Sequence, residues 1–236
     1  MPSTAKIRAV VVVSANGEWA AVRDHFAGTD TSPVVTPYGA CFVAGLNVGG
    51  QREPVVFLHG GWGKIAAAAS AQYAIDRWQP AVLVNLGTCG GFEGEIARGE
   101  IVLAARTVVY DIIEQMVPQE VALAHYTTEI DLSWLGEDDP QPVRRTLLVS
   151  GDRDLVAEER PAQGDVRRGG GDWESGAIAW VAARNGVRLL ILRGVTDLVG
   201  VGGSAAYGNV AYFNRAAREI MARLLEHLPA WLARAL

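Results

Sequence analysis

Apolar residues fall along this chain in short unbroken runs separated by helical stretches. Ala9-Val10-Val11-Val12-Val13 shows no polar alternation. That is the pattern of a strand covered on both faces, as in a parallel sheet. Residues 81–86 read as another buried strand, 101–110 as a long strand, and 146–149 and 189–192 as two more strands. Residues 38–46 and 54–58 read as paired strands, with Gly45, Gly49 and Gly50 marking the hairpin between them. The helical stretches are predicted at about residues 18–26, 65–77, 172–185 and 208–228. The run at 81–86 is expected to end in a glycine-rich turn, Gly87-Thr88-Cys89-Gly90-Gly91. Residues 115–142 are polar, carry Pro118, Pro140 and Pro142, and predict a loop or lid. Residues 167–171 predict a mobile, basic, glycine-rich loop. Strands alternating with helices predict an α/β fold, with a mixed or parallel sheet and helices on both faces.

One position breaks the pattern. In the predicted helix at 172–185, Glu174 precedes Ile178 and Val181 by four and seven residues. The spacing puts a carboxylate on the core face. A buried carboxylate is costly unless it is hydrogen-bonded or used. Asp197 follows the run Leu189-Leu190-Ile191-Leu192, at the expected exit of a strand. Two acids at the ends of neighbouring elements suggest chemistry on a polar, hydroxyl-bearing substrate. The alternative is that Glu174 caps its helix and Asp197 caps the next turn.

The chain has 236 residues, half of them hydrophobic and 20% charged, which suits one substantial core and one domain. A net charge of -5 argues against a broad nucleic-acid-binding surface and suits a cytoplasmic protein with a small-molecule partner. Cys41 and Cys89 are the only cysteines, too few for a disulfide framework. No apolar run reaches the roughly 18 residues of a membrane span, and the polar residues before the first strand give no sign of a signal peptide.

Several familiar motifs are approached and missed. Val55 to Gly61 is similar to the oxyanion turn of esterases, but no G-x-S-x-G elbow accompanies it. Gly60-Gly61-Trp62-Gly63-Lys64-Ile65 lacks the G-K-[ST] of a P-loop, and Gly87 to Gly91 lacks dinucleotide-fold spacing. His25, His59, His125 and His227 have no metal-ligand spacing. Among the tryptophans, Trp173 is the one placed to touch a ligand.

Four segments in order resemble the nucleoside phosphorylase/nucleosidase superfamily, closest to its 5′-methylthioadenosine/S-adenosylhomocysteine nucleosidase branch. They are Val10 to Trp19; Gly61 to Ala68 followed by Asn85-Leu86-Gly87-Thr88-Cys89-Gly90-Gly91 and Arg98 to Val102; Val149-Ser150-Gly151-Asp152; and Trp173 to Ala179 followed by Arg193-Gly194-Val195-Thr196-Asp197. The resemblance implies a single-domain, three-layer α/β/α fold around a central mixed sheet. It implies Asp197 as the acid at the purine ring nitrogen and Glu18 as the residue activating the attacking water. It places Glu174 on the ribose hydroxyls and Thr88 near the ribose and water. Trp173 falls beneath the sugar, Gly90, Asp154 and Leu155 in the substrate set, and Tyr207 over the 5′ substituent, a position often lent by a dimer partner. An oligomer, a dimer or larger, is implied, with no metal or organic cofactor.

The implied roles suit the cleavage of an N-ribosidic bond. Positive charge builds on the sugar, a carboxylate on its hydroxyls favours that charge, and an acid must protonate the departing base. Water is expected as the nucleophile rather than phosphate. Asn85 stands where the phosphorylases carry an arginine, and Ser14-Ala15-Asn16-Gly17 replaces their phosphate loop. Arg23 or the pair Arg167 and Arg168 would be the substitutes. Trp173 replaces a usual methionine and Asp154 a usual phenylalanine, which leaves the base and the 5′ group open. The alternatives are a phosphate-dependent phosphorylase and a nucleoside-binding protein without catalysis.

Overall fold

The computed structural model describes residues 6–157 and 169–236. Strands and helices run in the order β1 (Ala9–Val13), α1 (Asn16–His25), β2 (Val34–Val35), β3 (Ala40–Val48), β4 (Gln51–His59), α2 (Lys64–Trp78), β5 (Val82–Phe92) and β6 (Ile101–Val109). There follow α3 (Gln119–His125), β7 (Thr127–Glu129), a 3-10 turn (Ser133–Leu135), β8 (Arg144–Ser150), β9 (Gly170–Asp172), α4 (Ser175–Arg184), β10 (Arg188–Val199) and α5 (Val210–Ala235).

All ten strands form one mixed sheet. β1 lies parallel between β4 and β5, and β5 is parallel to β10. β10 meets β6 antiparallel, β6 pairs β8, β8 pairs β9, and β9 returns to β5. The sheet therefore curls until five strands close a ring, while β1, β4, β3 and β2 extend from it. The mixed α/β architecture expected from sequence is the one found, with this closure added.

β1 explains why the apolar runs do not alternate. Val11 and Val13 pack into a cluster with α1 and α5, whereas Val10 and Val12 pack into another with α2 and α4. Both faces are dry, so both must be apolar. α5 supplies the larger cover: Ala217, Met221, Leu224, Leu228, Trp231 and Leu232 recur at three- and four-residue spacing and are buried. Asn209 caps its start, its side-chain oxygen accepting from the Tyr212 amide at 3.0 Å.

Several expected boundaries move. Gly87 to Gly91 is not a turn: β5 runs through it, because β10 and β9 pair with it on either side. β10 likewise continues past Asp197 to Val199, with a bulge between Val195 and Asp197. The turn of the hairpin is Gly49-Gly50, both at positive φ, which glycine adopts without penalty. Gly45 lies inside β3 opposite Pro54. The expected loop at 115–142 contains α3, β7 and the 3-10 turn. Gly170 and Gly171 belong to β9, while Arg167 and Arg168 lie outside the described residues. The helix expected from residue 172 begins at Ser175, and the last helix runs to Ala235 rather than 228.

Candidate functional site

Glu18 stands in the first turn of α1, directly after β1. Its Oε2 accepts from the Ala15 amide at 3.1 Å, as a capping glutamate does. Its Oε1 reaches across to β5 and accepts from the Thr88 amide at 2.6 Å and the Thr88 hydroxyl at 2.8 Å. Gly87 makes this approach possible. A Cβ there would lie 2.1 Å from Arg193 Nη1 and 2.8 Å from Glu18 Oε1. A glycine in a central strand usually weakens it, unless a close approach demands one.

Arg193 comes from β10 and is 1% exposed. Its Nε lies 2.9 Å from Asp172 Oδ2 as an ion pair and donates to Ser175 Oγ at 3.1 Å. Its Nη2 donates to Asn85 Oδ1 at 2.6 Å. Glu18 and Glu174 are farther from it, at 3.7 and 3.6 Å. Three buried carboxylates, Glu18, Asp172 and Glu174, thus surround one guanidinium. A buried charge needs partners of this kind.

Glu174 holds the cap position of α4, but its side chain makes no bond to its own helix. Its Oε1 instead accepts from the Gly63 amide, at the start of α2, at 3.0 Å. The capping alternative for Glu174 therefore fails, and the prediction of a buried acid on the core side holds. Burial pushes its carboxyl up to about 8; Arg193 pulls it down in part, and Asp172 and Glu18 push it further up.

Asp197 lies inside β10 rather than at a strand exit, and 5% of it is exposed. The Thr196 hydroxyl donates to its Oδ1 at 2.6 Å, and the Ser204 hydroxyl donates to its Oδ2. It caps no turn. A Cβ on Gly90 would come 3.3 Å from the Leu155 side chain and 3.8 Å from Asp197 Oδ2, so these three residues converge. The Tyr207 hydroxyl donates to the Leu155 carbonyl at 2.6 Å.

One cavity of about 550 Å³ collects these groups. Its wall includes every residue expected in the site: Glu18, Thr88, Gly90, Asp154, Leu155, Trp173, Glu174, Asp197 and Tyr207. Asp154 is exposed on that wall, and Tyr207 lines the cavity of its own chain. Trp173 pairs with Trp62 across 5.6 Å between ring centroids. The wall is thus aromatic near Glu174 and acidic at five points, Glu18, Asp154, Asp172, Glu174 and Asp197.

Sequence reasoning missed Arg193, Asp172, Ser204, Trp62 and Phe213; of these, Asp172, Trp62 and Phe213 line the cavity. Asp172 carried a usable signal, a charge set against glycine-rich strand residues; Arg193, directly after Leu189-Leu190-Ile191-Leu192, did not. Ser204, in a glycine-rich loop, carried none. Arg23, a candidate for holding phosphate, donates to the Thr31 carbonyl at 2.8 Å and lies over the Phe42 ring. It does not line the cavity. Cys89 is buried between β5 and its neighbours, and burial raises its thiol far above the range of a reactive thiolate.

Comparison with known proteins places these features among relatives. A family model described as the phosphorylase superfamily matches residues 8–229. The 5′-methylthioadenosine/S-adenosylhomocysteine nucleosidase of Bacillus licheniformis is 26% identical over 165 residues, covering 64% of this chain and 71% of that one. A solved structure of the nucleosidase of that name from Helicobacter pylori, with butyl-thio-DADMe-Immucillin-A, superposes with a TM-score of 0.76. It shares 13% identity, over 94% of this chain and 98% of the other. The S. pneumoniae nucleosidase with the transition-state inhibitor MT-ImmA gives 0.71 at 20% identity, over 97% and 99%.

Proposed function

The chain belongs to the phosphorylase superfamily, and on that premise we propose that it hydrolyses the N-ribosidic bond of a purine nucleoside to the free base and a ribose derivative. The observation that carries the reading is the meeting of Glu18, Glu174 and Asp197, from three different elements, on one cavity. The curated relatives named as nucleosidases support it.

Asp197 gives a proton to the departing base. Its carboxyl is fixed by two hydroxyls at the end of the cavity shared with Gly90 and Leu155. Glu174 binds the ribose hydroxyls. With its carboxyl near 8, the ligand-free protein holds a proton there at neutral pH, so the group can both donate to and accept from a diol. Glu18 takes a proton from the attacking water, held in place by both donors of Thr88. General acid–base assistance of this kind contributes on the order of 10²–10⁴ per group. Trp62 and Trp173 face the sugar end and favour an apolar group there.

Water is the nucleophile rather than phosphate. Even with a proton on Glu174, the carboxylates of Glu18 and Asp172 outnumber the one guanidinium of Arg193, and a phosphate entering beside them would meet excess negative charge. The protein is cytoplasmic and assembles at least as a dimer, which would cover apolar side chains such as Ile65 and Met116, 86% and 93% exposed. Among the described residues no helix is long and apolar enough to cross a membrane. Incubation with purine nucleosides, followed by chromatography of the bases and sugars, tests the reaction. Sedimentation tests the assembly: a monomer at micromolar concentration would contradict it.

A further inference from the structure

The reaction as assigned leaves one buried carboxylate without a task. Asp172, at the end of β9, is 7% exposed and touches the cavity wall. Its two oxygens are saturated. Oδ1 accepts from Ser150 Oγ at 2.6 Å, the Ser175 amide at 3.1 Å and the Glu174 amide at 3.3 Å. Oδ2 accepts from Ser175 Oγ and forms an ion pair with Arg193 Nε at 2.9 Å. No lone pair is left for a substrate.

The lengths around Arg193 are unequal in a consistent way. Its short bonds go to Asp172 at 2.9 Å, Asn85 at 2.6 Å and Ser175 at 3.1 Å. Its contacts with Glu18 and Glu174 stay at 3.7 and 3.6 Å. A guanidinium prefers a bidentate grip on a carboxylate. Without an anchor, the favourable course for Arg193 is to close on Glu18 or Glu174. A two-point closure would take Glu18 Oε2 or Glu174 Oε2, the oxygen that water or a ribose hydroxyl needs. Asn85 is itself held in place, its Nδ2 donating to the Val12 carbonyl at 3.0 Å.

We propose that Asp172, with Asn85, is a positioning residue that ties Arg193 back, so that the second oxygens, Glu18 Oε2 and Glu174 Oε2, keep room for water and sugar. Arg193 then acts as a fixed positive charge behind the site. It balances the carboxylates without occupying them. The inference rests on the hydrolytic reading above and adds to it a role for a residue that touches no reacting atom.

A double-mutant cycle on turnover tests it. Asp172→Asn keeps the shape of the side chain but removes the charge that anchors Nε. It is expected to lower kcat about tenfold or more, within the range measured for residues in contact, while KM changes less than kcat. Arg193→Gln is expected to lower kcat as well. The combined variant should be no slower than Arg193→Gln alone, because Asp172 acts through Arg193. A merely structural role would give effects that multiply. Asn85→Ala probes the same anchor from β5 and should show the same non-additivity, which keeps the test open if Asp172→Asn does not fold. Wild-type kcat in a folded Asp172→Asn protein, or multiplying effects in both cycles, would overturn the proposal. A wild-type protein that turns over no nucleoside would instead overturn the hydrolytic reading.

Discussion

Glu174 meets opposing demands: it is almost fully buried, yet in the proposed reaction it faces a polar ligand. Burial raises its carboxyl from near 4.5 to about 8, against the partial pull of Arg193. For an acid, a raised value in the folded state means that the folded form holds the proton more tightly. The stability this contributes is fully present below about 4.5 and is lost as pH rises through about 8. The ligand-free protein should therefore melt at falling temperature across that window. Glu174→Gln should flatten the slope, read by thermal unfolding at successive pH values; an unchanged slope would remove Glu174 as its source. Asp197→Asn should leave the fold intact and lower kcat by about 10²-fold or more, measured as base release; retained turnover would remove it as the acid. At this scale the sequence was informative where a charge interrupted a regular pattern. Glu174 was legible because Ile178 and Val181 set the phase of its face. Arg193 was not, because an arginine after Leu-Leu-Ile-Leu reads equally well as the polar end of a strand.

The elements put these side chains together through two strands longer than their apolar runs suggest. β5 and β10 stay paired from Val82 and Arg188 to Phe92 and Val199, and the site residues Thr88, Gly90, Arg193 and Asp197 all lie along that ladder. Glycines disfavour strands, so the segment from Gly87 to Gly91 read as a turn. The glycines are there because side chains from other elements pass close over them, and no single-sequence pattern encodes such a crossing. Gly87→Ala should therefore cost more than an ordinary strand glycine: its Cβ would displace Arg193 or Glu18. Turnover should fall at least tenfold, with melting temperature lowered by a few degrees for each kcal/mol lost. Wild-type turnover in that variant would mean that the crossing can relax. The tryptophan pair belongs to this scale too, since Trp62 precedes α2 and Trp173 precedes α4. Trp62→Ala should weaken nucleosides carrying an apolar 5′ group more than adenosine itself. Equal losses in kcat/KM for both would remove the ring from recognition.

For the whole molecule, the alternation of buried runs and helices was enough to give a mixed sheet with helices on both faces. What it could not give was the closure of five strands into a ring, since pairing such as β9 with β5 rests on two short registers far apart in sequence. The closure gathers the candidate site: β5, β8, β9 and β10, all in the ring, each deliver a group to one cavity or to its support. The same assembly decides the chemistry. It sets the carboxylates of Glu18 and Asp172 against a single buried arginine and places Arg23 elsewhere, which favours water over phosphate. Base release from purine nucleosides, followed by chromatography with and without phosphate, is the most direct test of that claim. The account predicts release in phosphate-free buffer, yielding free sugar, and no sugar phosphate when phosphate is added. Release only in the presence of phosphate, yielding a sugar 1-phosphate, would contradict it.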